Sequence, residues 1–302
     1  MFDLTIIGSG VAGMTAALYA LRSEKKVLIL ERETYGGQIA KSPKVENYPT
    51  LKTVSGYELS DKIFEQINDL GVTFELEEVQ KLEKQGDVFK ITTDYHTYDS
   101  KSVIIANGVK PRMLNLENEE KLLGRGVYYC AICDGPFFKG KDVVLVGDGN
   151  SAMQYAIMLA GFCHKVTMVT MFDKFFGEKS LEDSIRANKK IEIISNATAS
   201  KLIGNESLEK VEFVRTNGEK FEIDTPALFV AIGQVADNEI FKDFVDLDKS
   251  GYIIADESCT TKTSGLFVAG DCRTKKIRQV ATAIGDGAVA GSQAVNYINT
   301  LK

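Results

Sequence analysis

The chain has 302 residues, 44% of them hydrophobic, with 26 glycines and only five prolines; this suits one large or two medium domains with real cores and argues against a disordered chain. A net charge of −6 and a sequence isoelectric point near 5.2 offer no overall basic field for nucleic acid or an anionic membrane surface. No apolar run reaches the roughly 18–20 residues needed to span a bilayer, no signal peptide is apparent, and the expected location is the cytoplasm.

Leu4 to Ile7 reads as a short buried strand that runs into Gly8-Ser9-Gly10-Val11-Ala12-Gly13 and then a helical pattern from Met14 to Leu21. Val27 to Leu30 is a second strand ending at Glu31, which completes a βαβ unit. Asp87 to Asp99 has the alternation of an antiparallel hairpin, and Ser102 to Ala106 reads as a separate buried strand. A second βαβ unit follows: Val143 to Val146, the turn Gly147-Asp148-Gly149-Asn150-Ser151-Ala152, a helix through Leu159 and a strand from Lys165 to Thr170. Val211 to Ile223 is a hairpin turning at Asn217-Gly218, and Leu228 to Ile232 is a buried strand. One plan is thus used twice, the pattern of two nucleotide-binding modules. Gly265 to Asp271 adds one more strand and turn and a last helix begins near Thr282; this tail is expected to return to the first module. The fold class is α/β, with two Rossmann-like domains that each carry an antiparallel hairpin.

In the first glycine run, Gly8 permits the tight turn, Gly10 lets backbone approach a pyrophosphate and Gly13 lets helix pack on strand. Glu31, at the end of the second strand, can accept from ribose hydroxyls. Cys130-Ala131-Ile132-Cys133 places two thiols at the spacing of a small, readily exchanged disulfide. Half a zinc site is the rival reading, but there is no second ligand pair, and neither His96 nor His164 has ligand spacing, so no metal is expected. Asp134 is a candidate general acid for a leaving thiolate. Cys163, Cys259 and Cys272 have no neighbour in sequence and read as small buried residues.

With these motifs, together with Gly36-Gly37-Gln38, Val45-Glu46-Asn47-Tyr48-Pro49, Gly270-Asp271 and Arg278-Gln279-Val280, the chain resembles the low-molecular-weight thioredoxin reductases over nearly its whole length. The resemblance implies a discontinuous FAD domain (residues 1–114 and 242–302) and a central redox-disulfide domain with an NADPH-like fold (115–241). It implies an FAD site containing Gly8, Ser9, Gly10, Val11, Ala12, Gly13, Glu31, Arg32, Gly37, Gln38, Asn47, Gly270, Asp271, Arg278, Gln279 and Val280. Asp271 would contact the ribityl chain, Asn47 would lie near the isoalloxazine ring, Cys133 would face the flavin and Cys130 would attack thioredoxin. A homodimer whose central domain rotates is implied as well.

The second glycine run departs from the family pattern. Asp148 is read as replacing its middle glycine, which would put a charged side chain against the pyrophosphate. The strand after it should end in an arginine cluster for a 2′-phosphate, but the chain has Thr170-Met171-Phe172-Asp173-Lys174-Phe175-Phe176. Losing two or three charge-assisted contacts costs on the order of 4 kcal/mol, about a thousandfold in affinity. On this reading the chain is most similar to the ferredoxin-linked flavin thioredoxin reductases, and reduced ferredoxin is the expected electron donor. The descent from a plant-type ferredoxin near −400 mV to thioredoxin near −270 mV releases about 6 kcal/mol per electron pair. Lys139, Lys141, Arg273, Lys275, Lys276 and Arg278 are candidate docking charges for an acidic donor. The alternatives are an NADPH- or NADH-dependent reductase with an atypical nucleotide site, a diflavin relative, or a non-catalytic FAD-binding sensor.

Overall fold

The computed structural model describes residues 1–42 and 45–301. The chain opens with β1 (Phe2–Ile7), α1 (Val11–Arg22), β2 (Val27–Glu31), α2 (Gly56–Asp69), β3 (Thr73–Leu76), β4 (Val79–Gln85), β5 (Val88–Thr93), β6 (Thr97–Ile105) and β7 (Val109–Pro111). It continues through α3 (Glu119–Leu122), β8 (Val127–Tyr128), α4 (Ala131–Asp134), β9 (Asp142–Val146), α5 (Asn150–Phe162), β10 (Lys165–Val169), α6 (Lys179–Ala187), β11 (Ile191–Ile194), β12 (Ala197–Gly204), β13 (Leu208–Arg215), β14 (Lys220–Asp224) and β15 (Leu228–Val230). It closes with β16 (Gln234–Ala236), β17 (Leu266–Val268) and α7 (Val280–Thr300). There are two compact units: Met1–Lys110 with the segment from Val235 onward, and Pro111–Gln234. No helix among the described residues is long and apolar enough to cross a membrane.

In the first unit, strands β3-β2-β1-β6 form a sheet in that order, with β17 also on β6. Leu4 to Ile7 and Val27 to Leu30 are buried without alternation, as central parallel strands covered on both faces must be. The expected hairpin and the expected strand at Ser102 share one element. Strand β6 pairs antiparallel with β5 from Thr97 to Ser100, and parallel with β1 and β17 further on. Its first half is half-exposed and alternates, whereas its second half is buried throughout; that switch of pattern makes one strand read as two. The tail reaches this unit through β17, which pairs with β6. Helix α7 then lies on α1, where Gly287 and Gly291 permit the approach: an added Cβ at either would overlap the carbonyl oxygens of Ala12 and Ala16. Leu4, Ile6, Met14, Ala16, Ile104, Ala290 and Ala294 belong to the core these elements enclose.

The second unit repeats the plan with a parallel sheet in the order β11-β10-β9-β15-β8 and a hairpin sheet β12-β13-β14. Val214 pairs with Lys220 across the Asn217-Gly218 turn. Val143, Leu145, Met153, Leu159, Val166, Met168 and Phe229 are in its core.

Candidate active site

The first glycine turn is built as its residue types demand. Gly8 has φ +103°, and a Cβ there would collide with the Ala106 carbonyl oxygen. A Cβ on Gly13 would overlap the Gly8 carbonyl, so helix and strand touch. Gly10 is the N-cap of α1, and nothing lies within 4 Å of where its side chain would be. That open cradle, lined by helix N–H groups, matches a pyrophosphate. Gly37 approaches the same point, its added Cβ lying 3.1 Å from Gly10 Cα. Glu31 Oε2 accepts from the Ser9 amide and hydroxyl, each at 2.8 Å, and its Oε1 accepts from the Glu33 amide at 3.1 Å. Ser9 therefore fixes the carboxylate at the strand end. Arg32 lies at the exposed rim between Glu33 and Asp237, at 3.7 and 3.6 Å.

The tail of the chain supplies the opposite wall in the same unit. Gly270 has φ +83°, and a Cβ there would press on the Ala12 side chain. Asp271 Oδ1 is buried with no hydrogen-bond partner. Burial raises its carboxyl's pKa, against the pull of Lys275 and Arg278. An orphaned acceptor beside an open glycine cradle fits a polyhydroxyl chain, so the residues present suit FAD. Arg278 donates to the Asp271 carbonyl at 3.3 Å and lies 4.1 Å over the Tyr252 ring. Gln279 caps α7 and accepts from Asn47 Nδ2 at 3.1 Å, and Gln38 donates to the Val109 carbonyl at 3.1 Å. The structure thus gathers Gly8, Ser9, Gly10, Val11, Ala12, Gly13, Glu31, Gly37, Gln38, Asn47, Gly270, Asp271, Arg278, Gln279 and Val280 within one unit.

The second glycine turn overturns the reading of Asp148. In the first unit Gly8 donates to Leu30 O (2.8 Å), Ala106 to Ile7 O (2.8 Å), Met14 to Gly10 O (3.0 Å) and Gly36 to Ser9 O (2.9 Å). In the second, Gly147 donates to Val169 O (3.1 Å), Ala231 to Val146 O (2.8 Å), Met153 to Gly149 O (3.1 Å) and Phe176 to Asp148 O (2.8 Å). The two patterns superimpose only if Gly147 matches Gly8, Gly149 matches Gly10 and Ala152 matches Gly13. Asp148 then matches Ser9, the variable position, and the glycine that meets a pyrophosphate is Gly149. Only the Phe176 carbonyl, at 3.8 Å, comes near a Cβ built there. The run fits G-x-G-x-x-A intact. The same register places Thr170 opposite Glu31. Thr170 is buried, and its hydroxyl donates to the Phe172 carbonyl at 2.7 Å. The strand end therefore carries neither an acid for a ribose nor an arginine for a phosphate.

Cys130 and Cys133 form a disulfide with Cα atoms 5.4 Å apart. Cys130 is the N-cap of the one-turn helix α4, and its sulfur accepts from the Cys133 amide at 3.2 Å. That bond favours the Cys130 thiolate once the disulfide opens. Asp134 is half-buried in the next position, and burial raises its carboxyl's pKa from the ordinary value. Such a group holds a proton more readily for a departing thiolate. The other three cysteines are buried and free, with thiols pushed up by burial to about 11 at Cys163 and Cys259 and about 12 at Cys272.

Residues 2–287 match the family model described as pyridine nucleotide-disulphide oxidoreductase. The chain belongs to this family. It is 37% identical over 304 residues to a thioredoxin reductase of Listeria innocua, covering 100% of this chain and 95% of that protein. A crystal structure of Lactococcus lactis thioredoxin reductase superimposes with a TM-score of 0.96 at 37% identity, covering all of both chains. A ferredoxin-flavin thioredoxin reductase from Clostridium acetobutylicum is similar at 30% identity and a TM-score of 0.55, covering 99% of this chain and 98% of that one. As a member of the pyridine nucleotide-disulphide oxidoreductases, the chain is an enzyme of disulfide redox chemistry with FAD as its cofactor.

Two polar clusters beside these sites are absent from the sequence reading. Asp286, on α7, accepts from Arg273 Nε (2.8 Å) and Nη2 (2.7 Å), Lys275 Nζ (2.8 Å) and the Gly270 amide (3.0 Å), with all three charged side chains under 10% exposed. Arg273 and Lys275 were among the candidate docking charges. They are instead the buried tie that holds the Gly270-Asp271 turn to α7. Arg278, stacked on Tyr252, is likewise engaged locally. In the second unit buried Glu119 accepts from the Tyr129 hydroxyl and from the Leu114 amide at 2.9 Å, which anchors the residue before Cys130. Both clusters are built by side chains that meet through the turns between neighbouring elements, and no hydrophobic periodicity announces such contacts.

Proposed function

We propose that this chain is a thioredoxin-disulfide reductase that draws electrons from a pyridine nucleotide, with NADH used at least as well as NADPH, and passes them through FAD and the Cys130–Cys133 dithiol to thioredoxin. One observation carries the choice of donor: the second glycine turn repeats the backbone geometry of the first, with Gly149 open for a pyrophosphate. The absence of arginine from Thr170 to Phe176 removes the grip on a 2′-phosphate but costs NADH nothing. The bound flavin supplies a hydride acceptor for the nicotinamide and a two-electron donor for the disulfide. The chain's own residues do the rest. Reduction of the disulfide yields two thiols. The Cys130 thiolate, stabilised by the Cys133 amide, attacks thioredoxin's disulfide and forms a mixed disulfide as one thioredoxin thiolate departs. Asp134 delivers a proton to that leaving sulfur. Cys133 then attacks Cys130, restores the intramolecular disulfide and releases the second thioredoxin thiol. Gly8, Gly10, Gly13 and Glu31 hold the adenosine diphosphate half of FAD, and Asp271 accepts from its ribityl hydroxyls. Asn47, Gln279 and Arg278 border the ring end. A cytoplasmic homodimer is part of the same proposal.

A second reading, reduced ferredoxin as donor, draws on the strand end that has neither acid nor arginine and on the likeness to the C. acetobutylicum enzyme. The experiment is steady-state reduction of thioredoxin with NADH, NADPH or reduced ferredoxin as the sole donor. NADH-driven turnover at or above the NADPH rate supports the proposal. Turnover with ferredoxin alone replaces it with the second reading.

A further inference from the structure

We propose that Phe172 and Phe176 grip the adenine ring of the dinucleotide, an aromatic substitute for a cationic clamp; this rests on the reading that the second unit binds a pyridine nucleotide. In a dinucleotide fold the pyrophosphate lies at the helix start and the adenosine over the end of the next strand. The loop after β10 occupies that place, and three contacts hold it to the glycine turn. The Phe176 amide donates to Asp148 O at 2.8 Å, Gly149 and Phe176 form a parallel bridge, and the Glu178 amide donates to Asn150 Oδ1 at 2.7 Å. Gly177 is required for the last contact, because a Cβ there would strike Asn150 Oδ1.

Two of the loop's rings face outward. Phe172 is 43% and Phe176 52% exposed, with centroids 5.5 Å apart and planes at 78°. Phe175, between them in sequence, behaves as a structural residue: it packs against the unit's core beneath Arg186, whose guanidinium lies 5.4 Å from the ring centroid. A tethered, exposed edge-to-face pair has no packing function to explain it. It offers a planar base one face and one edge. Lys174, the only basic residue from Thr170 to Glu178, lies 5.0 Å from the Phe176 centroid and adds positive charge at the same spot. Stacking of this kind is indifferent to a 2′-phosphate, which is why it suits a strand end without arginines.

The test is calorimetric binding of NAD+, NADP+ and nicotinamide mononucleotide, which lacks the adenosine, to the FAD-loaded protein. The parent should bind NAD+ far more tightly than the mononucleotide, and NADP+ no more tightly than NAD+. Phe172→Ala and Phe176→Ala should each weaken NAD+ about tenfold or more and leave the mononucleotide unchanged. Phe172→Leu keeps apolar volume but no ring and should lose as much as Phe172→Ala; Phe172→Arg should shift preference toward NADP+. FAD content and titration of the Cys130–Cys133 thiols confirm that each variant is folded. Parent-like NAD+ affinity in both alanine variants would overturn the aromatic grip while the nucleotide reading stands. A parent that binds no dinucleotide would overturn both.

Discussion

Asp286→Ala is the most informative single perturbation of the FAD unit. It removes the carboxylate that is ion-paired with two buried cations and takes the acceptor from the Gly270 amide. Breaking a buried ion pair from one side costs about 3–5 kcal/mol, and a buried amide left unpaired about 1–3 kcal/mol. Arg273 keeps the carbonyls of Ala255 and Thr274 as acceptors, at 3.3 and 3.0 Å, so part of the loss is recovered. The expected net loss is about 4 kcal/mol, a large share of the ~5–15 kcal/mol of a typical domain. Because the chain has no tryptophan, urea unfolding is followed by far-UV circular dichroism, on apoprotein so that FAD binding adds nothing. The first unit's transition should move to lower urea while the second unit's stays. Asp286→Asn keeps an acceptor for Gly270 and should lose about half as much. A Asp286→Ala protein within about 1 kcal/mol of the parent would refute the inference that this cluster ties the Gly270-Asp271 turn to α7.

The same carboxylate sets an acid limit. Burial raises its pKa, but hydrogen bonds and charge from Arg273 and Lys275 bring it below the ordinary 3.8. Its contribution is therefore complete above pH about 4 and disappears as pH falls through the lower folded value, so Asp286→Ala should flatten the acid limb of a stability–pH curve. Gly149→Val should leave FAD content and the disulfide intact, because the position is open and has ordinary backbone angles, while weakening NAD+ at least a hundredfold by calorimetry. Asp134→Asn should slow thioredoxin turnover by about 10²-fold or more, a loss measured in single-turnover assays from the pre-reduced enzyme. Cys133→Ser should trap a mixed disulfide between Cys130 and thioredoxin, visible on a non-reducing gel.

The βαβ repeats, the first glycine turn and the Cys130–Cys133 pair were legible in the sequence, because local residue types and hydrophobic period determine them. The misreading of Asp148 shows where that stops. Gly147-Asp148-Gly149-Asn150-Ser151-Ala152 has the same spacing as Gly8-Ser9-Gly10-Val11-Ala12-Gly13, so the error was one of register within the motif, and the hydrogen bonds of Gly147, Met153 and Phe176 show which glycine is which. Strand β6 read as two elements because its partners change from antiparallel to parallel along its length. The basic residues near Gly270 looked like surface charges because their partner, Asp286, sits one turn and more into the next helix, at a spacing that no local pattern marks.

The central claim is that a nicotinamide feeds this flavoenzyme. Anaerobic stopped-flow mixing of the oxidised FAD-loaded protein with NADH, NADPH or reduced ferredoxin, followed by loss of flavin absorbance, tests it most directly. NADH should bleach the flavin at a rate sufficient for turnover, with NADPH no faster. Fast bleaching by ferredoxin, with neither nicotinamide reacting, would contradict the account.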